Sequence, residues 1–191
     1  MRALGIDTTR RFMVIVLIDG ENTYTEVVRE GNKKHNSLLL ERADGLLAAH
    51  KLTVSDMDCF SAVTGPGSFT GIRVGVATVN GFAYALKKPL AEVTALELIA
   101  YNKKRGTALI DALHGNYYGG TIADGAIREM RFYEADEKID GEKYFQDDGE
   151  TYADAFAALI RERYESGCMR DMLSPLYMRA SQAEREADKN A

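Results

Sequence analysis

Gly65-Pro66-Gly67-Ser68-Phe69-Thr70-Gly71 separates a stretch that reads as a strand from one that reads as a helix. Pro66 fixes one φ angle, while the glycines permit positive φ and a close approach of other backbone. Ser68 or Thr70 can cap the following helix by accepting from its free N–H groups. Two readings stay open on physical grounds. A glycine-rich turn at a helix N-terminus can hold an anion, or it can be a tight strand-to-helix connection. The spacing fits neither common phosphate-loop pattern, because no Lys follows the last glycine and the glycines do not fall as G-x-G-x-x-G.

The expected helix covers 70–86, and Ile72, Val76, Val79, Ala83 and Leu86 form the stripe predicted to face a sheet. Gly71, Gly75, Thr78 and Phe82 make a second stripe, leaving Arg73, Asn80 and Tyr84 as the polar side chains of the remaining arc. A helix so small and apolar all round is expected to be covered on more than one side. Upstream, 57–64 reads as a strand and 36–50 as a helix. In that helix Leu39, Leu40, Ala43, Leu46, Leu47 and His50 are predicted to face the sheet, while Leu38, Gly45 and Ala49 cluster elsewhere, around Arg42. Leu38 fits a scattered exposed leucine equally well.

The chain opens with strands at 2–7 and 12–19 around the turn Thr8-Thr9-Arg10-Arg11, and a third strand at 23–30 completes a meander. A strand at 89–93 and a helix at 95–104 follow the central helix. The pattern then restarts. Residues 107–111 repeat the character of 3–7, an apolar strand closing on Asp, followed by strands at 117–124 and 127–133, a polar acidic stretch at 134–150 and a helix at 152–164. A meander plus helices, then a shortened copy, is the plan of an α/β actin-like (sugar kinase/Hsp70-type) ribonuclease-H-like fold with a shortened second lobe. The expected division is an N-terminal lobe 1–104, a shortened C-terminal lobe 105–179 and a flexible tail 180–191.

With 46% hydrophobic residues among 191, the chain can bury a core, so disorder over most of its length is excluded. Its net charge of −5 makes it a poor unaided holder of nucleic acid, and such a role calls for a basic partner. Cys59 and Cys168 have no neighbour at metal-ligand spacing, which excludes a cysteine zinc site and fits a reducing compartment. The longest early apolar run, 12–18, is too short to span a bilayer, so the expectation is a cytoplasmic chain with no membrane partner.

The run from Gly65 to Gly71, continued by Ile72-Arg73-Val74-Gly75, strongly resembles the signature of the TsaB (YeaZ) family. Leu4-Gly5-Ile6-Asp7-Thr8-Thr9 is similar to that family's opening strand and acidic turn, and Ser174-Pro175-Leu176-Tyr177-Met178-Arg179 to its closing segment. Asp111 and Tyr117 in the restart extend the likeness along the whole chain. The resemblance implies a scaffold in tRNA N6-threonylcarbamoyladenosine synthesis. Its partners would be a paralogous TsaD-like transferase and a TsaE-like ATPase, with tRNA engaged indirectly through the complex.

The expected interface, for that partner or for a homodimer, comprises Leu38, Arg42, Gly45, Ala49, Gly71, Arg73, Val74, Gly75, Thr78 and Phe82. The motif loop is Gly65, Pro66, Gly67, Ser68, Phe69 and Thr70, and Asp7, Thr8 and Thr9 read as a vestigial phosphate turn. No catalytic residue, metal or required cofactor is expected, although ATP or ADP could sit at the partner interface. His35, His50 and His114 lack the pair spacing by which TsaD-like enzymes hold a metal, and no Ser-His-Asp set suggests a peptidase. An actin-like ATPase or phosphotransferase acting alone, with Asp7, Thr8 and Thr9 around the γ-phosphate, is the alternative. Arg73 could bond a facing helix or simply be exposed.

Overall fold

A computed structural model describes residues 1–29, 35–145 and 150–179. The first strands, β1 (Arg2–Asp7), β2 (Met13–Asp19) and β3 (Asn22–Val28), form the expected antiparallel meander. β1 also pairs in parallel with β4 (Cys59–Val63), and β4 with β5 (Leu90–Val93), giving the order β3-β2-β1-β4-β5. The second sheet is built from β6 (Arg105–Asp111), β7 (Tyr117–Ala123), β8 (Ala126–Tyr133) and β9 (Lys143–Phe145), in the order β8-β7-β6-β9. It repeats the first: an antiparallel meander whose first strand takes a parallel neighbour on its other side.

Four helices, α1 (His35–Ala49), α2 (Phe69–Leu86), α3 (Ala95–Ala100) and α4 (Glu150–Glu165), cover the sheets. The pleat of β1 and β2 sorts them. Leu4, Ile6, Met13, Ile15 and Leu17 point into one core with Leu39, Ala43 and Leu47 of α1 and Ile72, Val76, Val79 and Ala83 of α2. Ala3, Val14, Val16 and Ile18 point the other way, into a core built by α3, α4 and the inner residues Ala108, Ile110 and Ile122 of the second sheet. β2 is therefore buried on both faces, the reason its sequence is an unbroken apolar run rather than an alternating one. Burying each such Leu or Ile contributes roughly 1.5–3 kcal/mol. At Gly5 the cover is direct, since an added Cβ would lie 2.7 Å from Cδ1 of Ile160 on α4.

Several expectations are corrected. Leu40 is 57% exposed and falls outside the sheet-facing stripe of α1, which keeps Leu39, Ala43 and Leu47 buried and Leu46 and His50 half-buried. α3 stops at Ala100 instead of reaching 104, because Asn102 takes a left-handed φ of 61° and β6 begins at Arg105. Within the stretch read as a polar connection lies β9, which its parallel pairing with β6 creates. Residues 180–191, read as a flexible tail, lie outside the described residues, as does residue 30 at the end of the third strand.

Candidate partner-binding face and motif loop

The motif loop is packed against its own chain. Gly65 adopts a φ of 125°, and a Cβ there would come within 2.6 Å of the carbonyl oxygen of Leu176. The N–H of Leu176 donates to the carbonyl of Thr64 at 2.8 Å, so the closing segment 174–179 lies on the loop. Ser68 caps α2 by accepting from the N–H of Gly71 at 3.3 Å, and its own N–H donates to the carbonyl of Thr9 at 2.7 Å. The β1–β2 turn thus sits directly on the start of α2. Thr8 Oγ1 donates to the carbonyl of Gly71 at 2.6 Å, and Cβ atoms added at Gly71 and Gly75 would fall 1.8 Å from Thr8 O and 2.6 Å from Thr8 Oγ1.

The residues of the expected interface differ in their surroundings within the chain. Gly71 and Gly75 are buried, and their smallness admits the chain's own turn. Phe82 is half-buried with its ring 5.4 Å from Phe60, while Leu38 and Val74 are half-buried against the same core. Thr78 is half-buried too. Arg42 donates to Glu26 of β3 at 3.2 Å and so has an internal partner. Gly45, Ala49 and Arg73 are exposed.

The surface left open runs along Arg73, Ala77, Gly81 and Tyr84 of α2, the last 90% exposed, and along Leu40, Gly45, Ala48 and Ala49 of α1. Cβ atoms added at Gly45 and Gly81 would meet nothing within 4 Å. Leu40, Ala77 and Gly81 lie on this open surface and were not among the expected interface residues. Periodicity fixes the buried stripe of α2, and at about 100° per residue Gly71/Gly75 lie roughly 80° to one side of it and Arg73/Ala77 roughly 120° to the other. Only the docking of the β1–β2 turn decides which flank is covered.

Arg73 is exposed, the second of the two expected arrangements, and it also bonds within the chain. Its Nε donates to the Tyr177 hydroxyl at 2.8 Å, and its guanidinium lies 3.9 Å from the centroid of Phe69, whose ring stacks on Tyr177 at 4.5 Å. Further along α2, Asn80 holds the same closing segment through Leu173, donating to its carbonyl at 2.9 Å and accepting from its N–H at 3.0 Å.

Asp7 is fully buried and committed internally. Its Oδ1 accepts from the N–H of Thr9 at 2.7 Å, and its Oδ2 accepts the Tyr152 hydroxyl of α4 at 2.5 Å and pairs with Arg10 at 3.4 Å. Arg10 also lies 3.4 Å over the Tyr152 ring. Burial, reinforced by the Asp7 charge, pushes the Tyr152 phenol well above its ordinary range. A nucleotide-bound metal, which an actin-like fold implies, therefore does not fit here: both oxygens of Asp7 already serve the chain's own donors. Thr9 Oγ1 is buried with no partner, beside a cleft of about 480 Å³ that the first turn, Ser68 and Asp111 line.

His50 stacks on Tyr24 at 3.7 Å, and the described residues contain no cluster of three or more metal-ligating side chains. Burial pushes the Cys59 thiol up to about 12. Among the described residues no helix is long and apolar enough to cross a membrane.

These features define an α/β protein related to the actin-like superfamily, with an open helical face beside a glycine-rich loop. A family model described as TsaD: tRNA N6-adenosine threonylcarbamoyltransferase matches residues 18–134. The chain is 30% identical over 124 residues to the tRNA threonylcarbamoyladenosine biosynthesis protein TsaB of Bacillus subtilis (strain 168), covering 63% of this chain and 54% of that one. It is 31% identical over 126 residues to the protein of the same name from Escherichia coli (strain K12), covering 62% and 53%. The chain spans about half the length of these curated relatives. YeaZ from Pseudomonas aeruginosa superposes with a TM-score of 0.75 at 19% identity, over 92% of this chain and 99% of that one. The chain belongs to the TsaB (YeaZ) family, which shares its family model with the transferase.

Proposed function

We propose that this chain is a non-catalytic scaffold and activating subunit in tRNA N6-threonylcarbamoyladenosine synthesis, binding a paralogous TsaD-type transferase through α1 and α2. The observation that carries this reading is the outer face of those helices. Gly45 and Gly81 cost about 1 kcal/mol each relative to Ala in a helix interior, and among the described residues nothing lies within 4 Å of a Cβ added at either. Small residues allow another helix to approach closely, and Tyr84 and Arg73 are side chains of the kind that anchor interfaces. The chain would act by binding one conformer of the transferase more tightly than another.

In this reading the fold is ribonuclease-H-like, with lobes at 1–104 and 105–179. The repetition of β3-β2-β1-β4 by β8-β7-β6-β9 supports it. A TsaE-type ATPase joins the assembly and tRNA is engaged through the complex. The chain itself requires no cofactor, while ATP or ADP binds at the interface with the transferase. A homodimer through the same face competes with the heterodimer.

Gly81→Arg and Ala77→Arg test the interface. Both variants are expected to keep the wild-type melting temperature within a few degrees, to lose affinity for the transferase by about 100-fold or more, and to stop supporting tRNA modification. Undiminished binding and modification by both would overturn the assignment. ATP turnover by the purified chain alone would overturn the non-catalytic role.

A further inference from the structure

On the far side of the first sheet from α1 and α2, cations gather where α3 gives way to β6. A cleft of about 1070 Å³ there is lined by Tyr101, Lys103, Lys104, Arg105 and Tyr144, and an adjoining one of about 510 Å³ by Lys143 and Phe145 as well as Tyr101, Lys103 and Tyr144. Their meeting follows from the backbone. Asn102, at a φ of 61°, ends α3 and turns the chain into Lys103, and the parallel pairing of β9 with β6 sets Lys143 opposite Thr107. Gly106, at a φ of 128°, lies under the Tyr144 ring, and the Lys103 ammonium sits 5.1 Å from that ring's centroid.

The four cations are exposed, and among the described residues none of them forms an ion pair. The same clefts are also lined by Arg163 and by the acids Glu97, Asp124, Glu142, Asp154 and Glu162. Arg163 holds Glu97 at 2.5 Å and Glu162 at 2.8 Å, Arg128 lies 3.8 Å from Asp124, and Glu142 accepts from Tyr144, leaving Asp154. Five cations and five acids line the two clefts, so the corner is neutral by count in a chain of net charge −5, and the four cations without an ion pair among the described residues stand at its surface.

We propose that this corner binds the phosphate backbone of RNA, specifically the tRNA on which the assembly works; the proposal rests on the function proposed above. Lys103, Lys104, Arg105 and Lys143 would each neutralise a phosphate and release its counterion. Tyr101 and the 55% exposed Phe145 supply faces on which bases stack. Cations interleaved with rings along two joined clefts suit a nucleic acid, in which every phosphate comes with a base that can stack. Since α1 and α2 lie across the sheet, the corner stays open while the transferase is bound.

The test uses the full-length chain assembled with its transferase and an unmodified tRNA transcript, titrated between about 50 and about 200 mM salt. The triple variant K103Q/K104Q/R105Q is expected to assemble normally and to bind tRNA about 10-fold more weakly at low salt. The slope of log affinity against log salt should be shallower by about two to three, and by about one in each of the single variants K104Q and R105Q. Normal assembly with unchanged affinity and slope overturns the proposal and leaves the scaffold reading standing. Failure of the wild-type chain to assemble with the transferase overturns the scaffold reading itself. Displacement of tRNA by polyglutamate at equal charge concentration overturns the assignment to RNA.

Discussion

Replacing Gly71 with Ala should destabilise the protein although Ala is the better helix former, and the structure sets the size of the effect. Gly71 lies in the first turn of α2, and the new Cβ would stand 1.8 Å from the Thr8 carbonyl oxygen, against a contact distance of about 3.2 Å. The turn must therefore retreat by more than an ångström. That movement breaks the 2.6 Å hydrogen bond from Thr8 Oγ1 to the Gly71 carbonyl, and it pulls on the bond from the Ser68 N–H to Thr9. Overpacking of this kind costs about 1–3 kcal/mol and a lost buried hydrogen bond about 1 kcal/mol more, offset by up to 1 kcal/mol of helix propensity. The net loss is about 2–3 kcal/mol, or roughly 5–10 °C in melting temperature for a chain of this size. Gly81→Ala serves as the control: with nothing within 4 Å of its added Cβ it should gain about 0.4–1 kcal/mol. Thermal and urea unfolding of the purified chain measure both. If Gly71→Ala proves as stable as the wild type, the turn does not rest on α2 and the reassignment of the exposed face fails with it. The same reasoning makes bulky substitutions at Gly75 unsuitable as interface probes, because loss of binding would follow from loss of folding.

Tyr152→Phe removes the hydroxyl that donates to buried Asp7, leaving the carboxylate to Arg10 and the Thr9 N–H. A hydrogen bond to a charged acceptor contributes about 1.5–3 kcal/mol, so urea unfolding should show a loss of about 2 kcal/mol, and an unchanged midpoint would refute the cluster's role. Cys59 carries a pH dependence. Its thiol is raised by burial from its ordinary value of about 9 to about 12, so the folded state keeps a proton that the unfolded chain loses. This contribution is fully present below about pH 9, falls as pH rises, and reaches about 2 kcal/mol of lost stability by about pH 10.5. Cys59→Ala should flatten the fall between about pH 8 and pH 10.5, and identical slopes in both proteins would contradict the burial argument.

The sequence by itself determined the order of elements and the family. The unbroken apolar run at 12–18, the glycine-rich loop between strand and helix, and the second strand ending on Asp111 are local signals, and local signals survive without a structure. The buried stripe of α2 was legible for the same reason, since a 3.6-residue period needs only one helix to show itself. Which flank of that stripe faces outward was not. Gly71 and Gly81 are the same residue on the same helix, and one meets the Thr8 carbonyl while the other meets nothing within 4 Å. Nor could the sequence show that β9 exists, since three residues acquire strand geometry only by pairing with β6. The cationic corner depends on that pairing, which brings Lys143 beside a cluster nearly forty residues earlier in the chain. The fate of Asp7 was equally out of reach, because its second oxygen is claimed by Tyr152, 145 residues away. The periodicity of one helix or strand is written in its own residues. What covers that element depends on segments distant in the chain, and only the tertiary structure decides it.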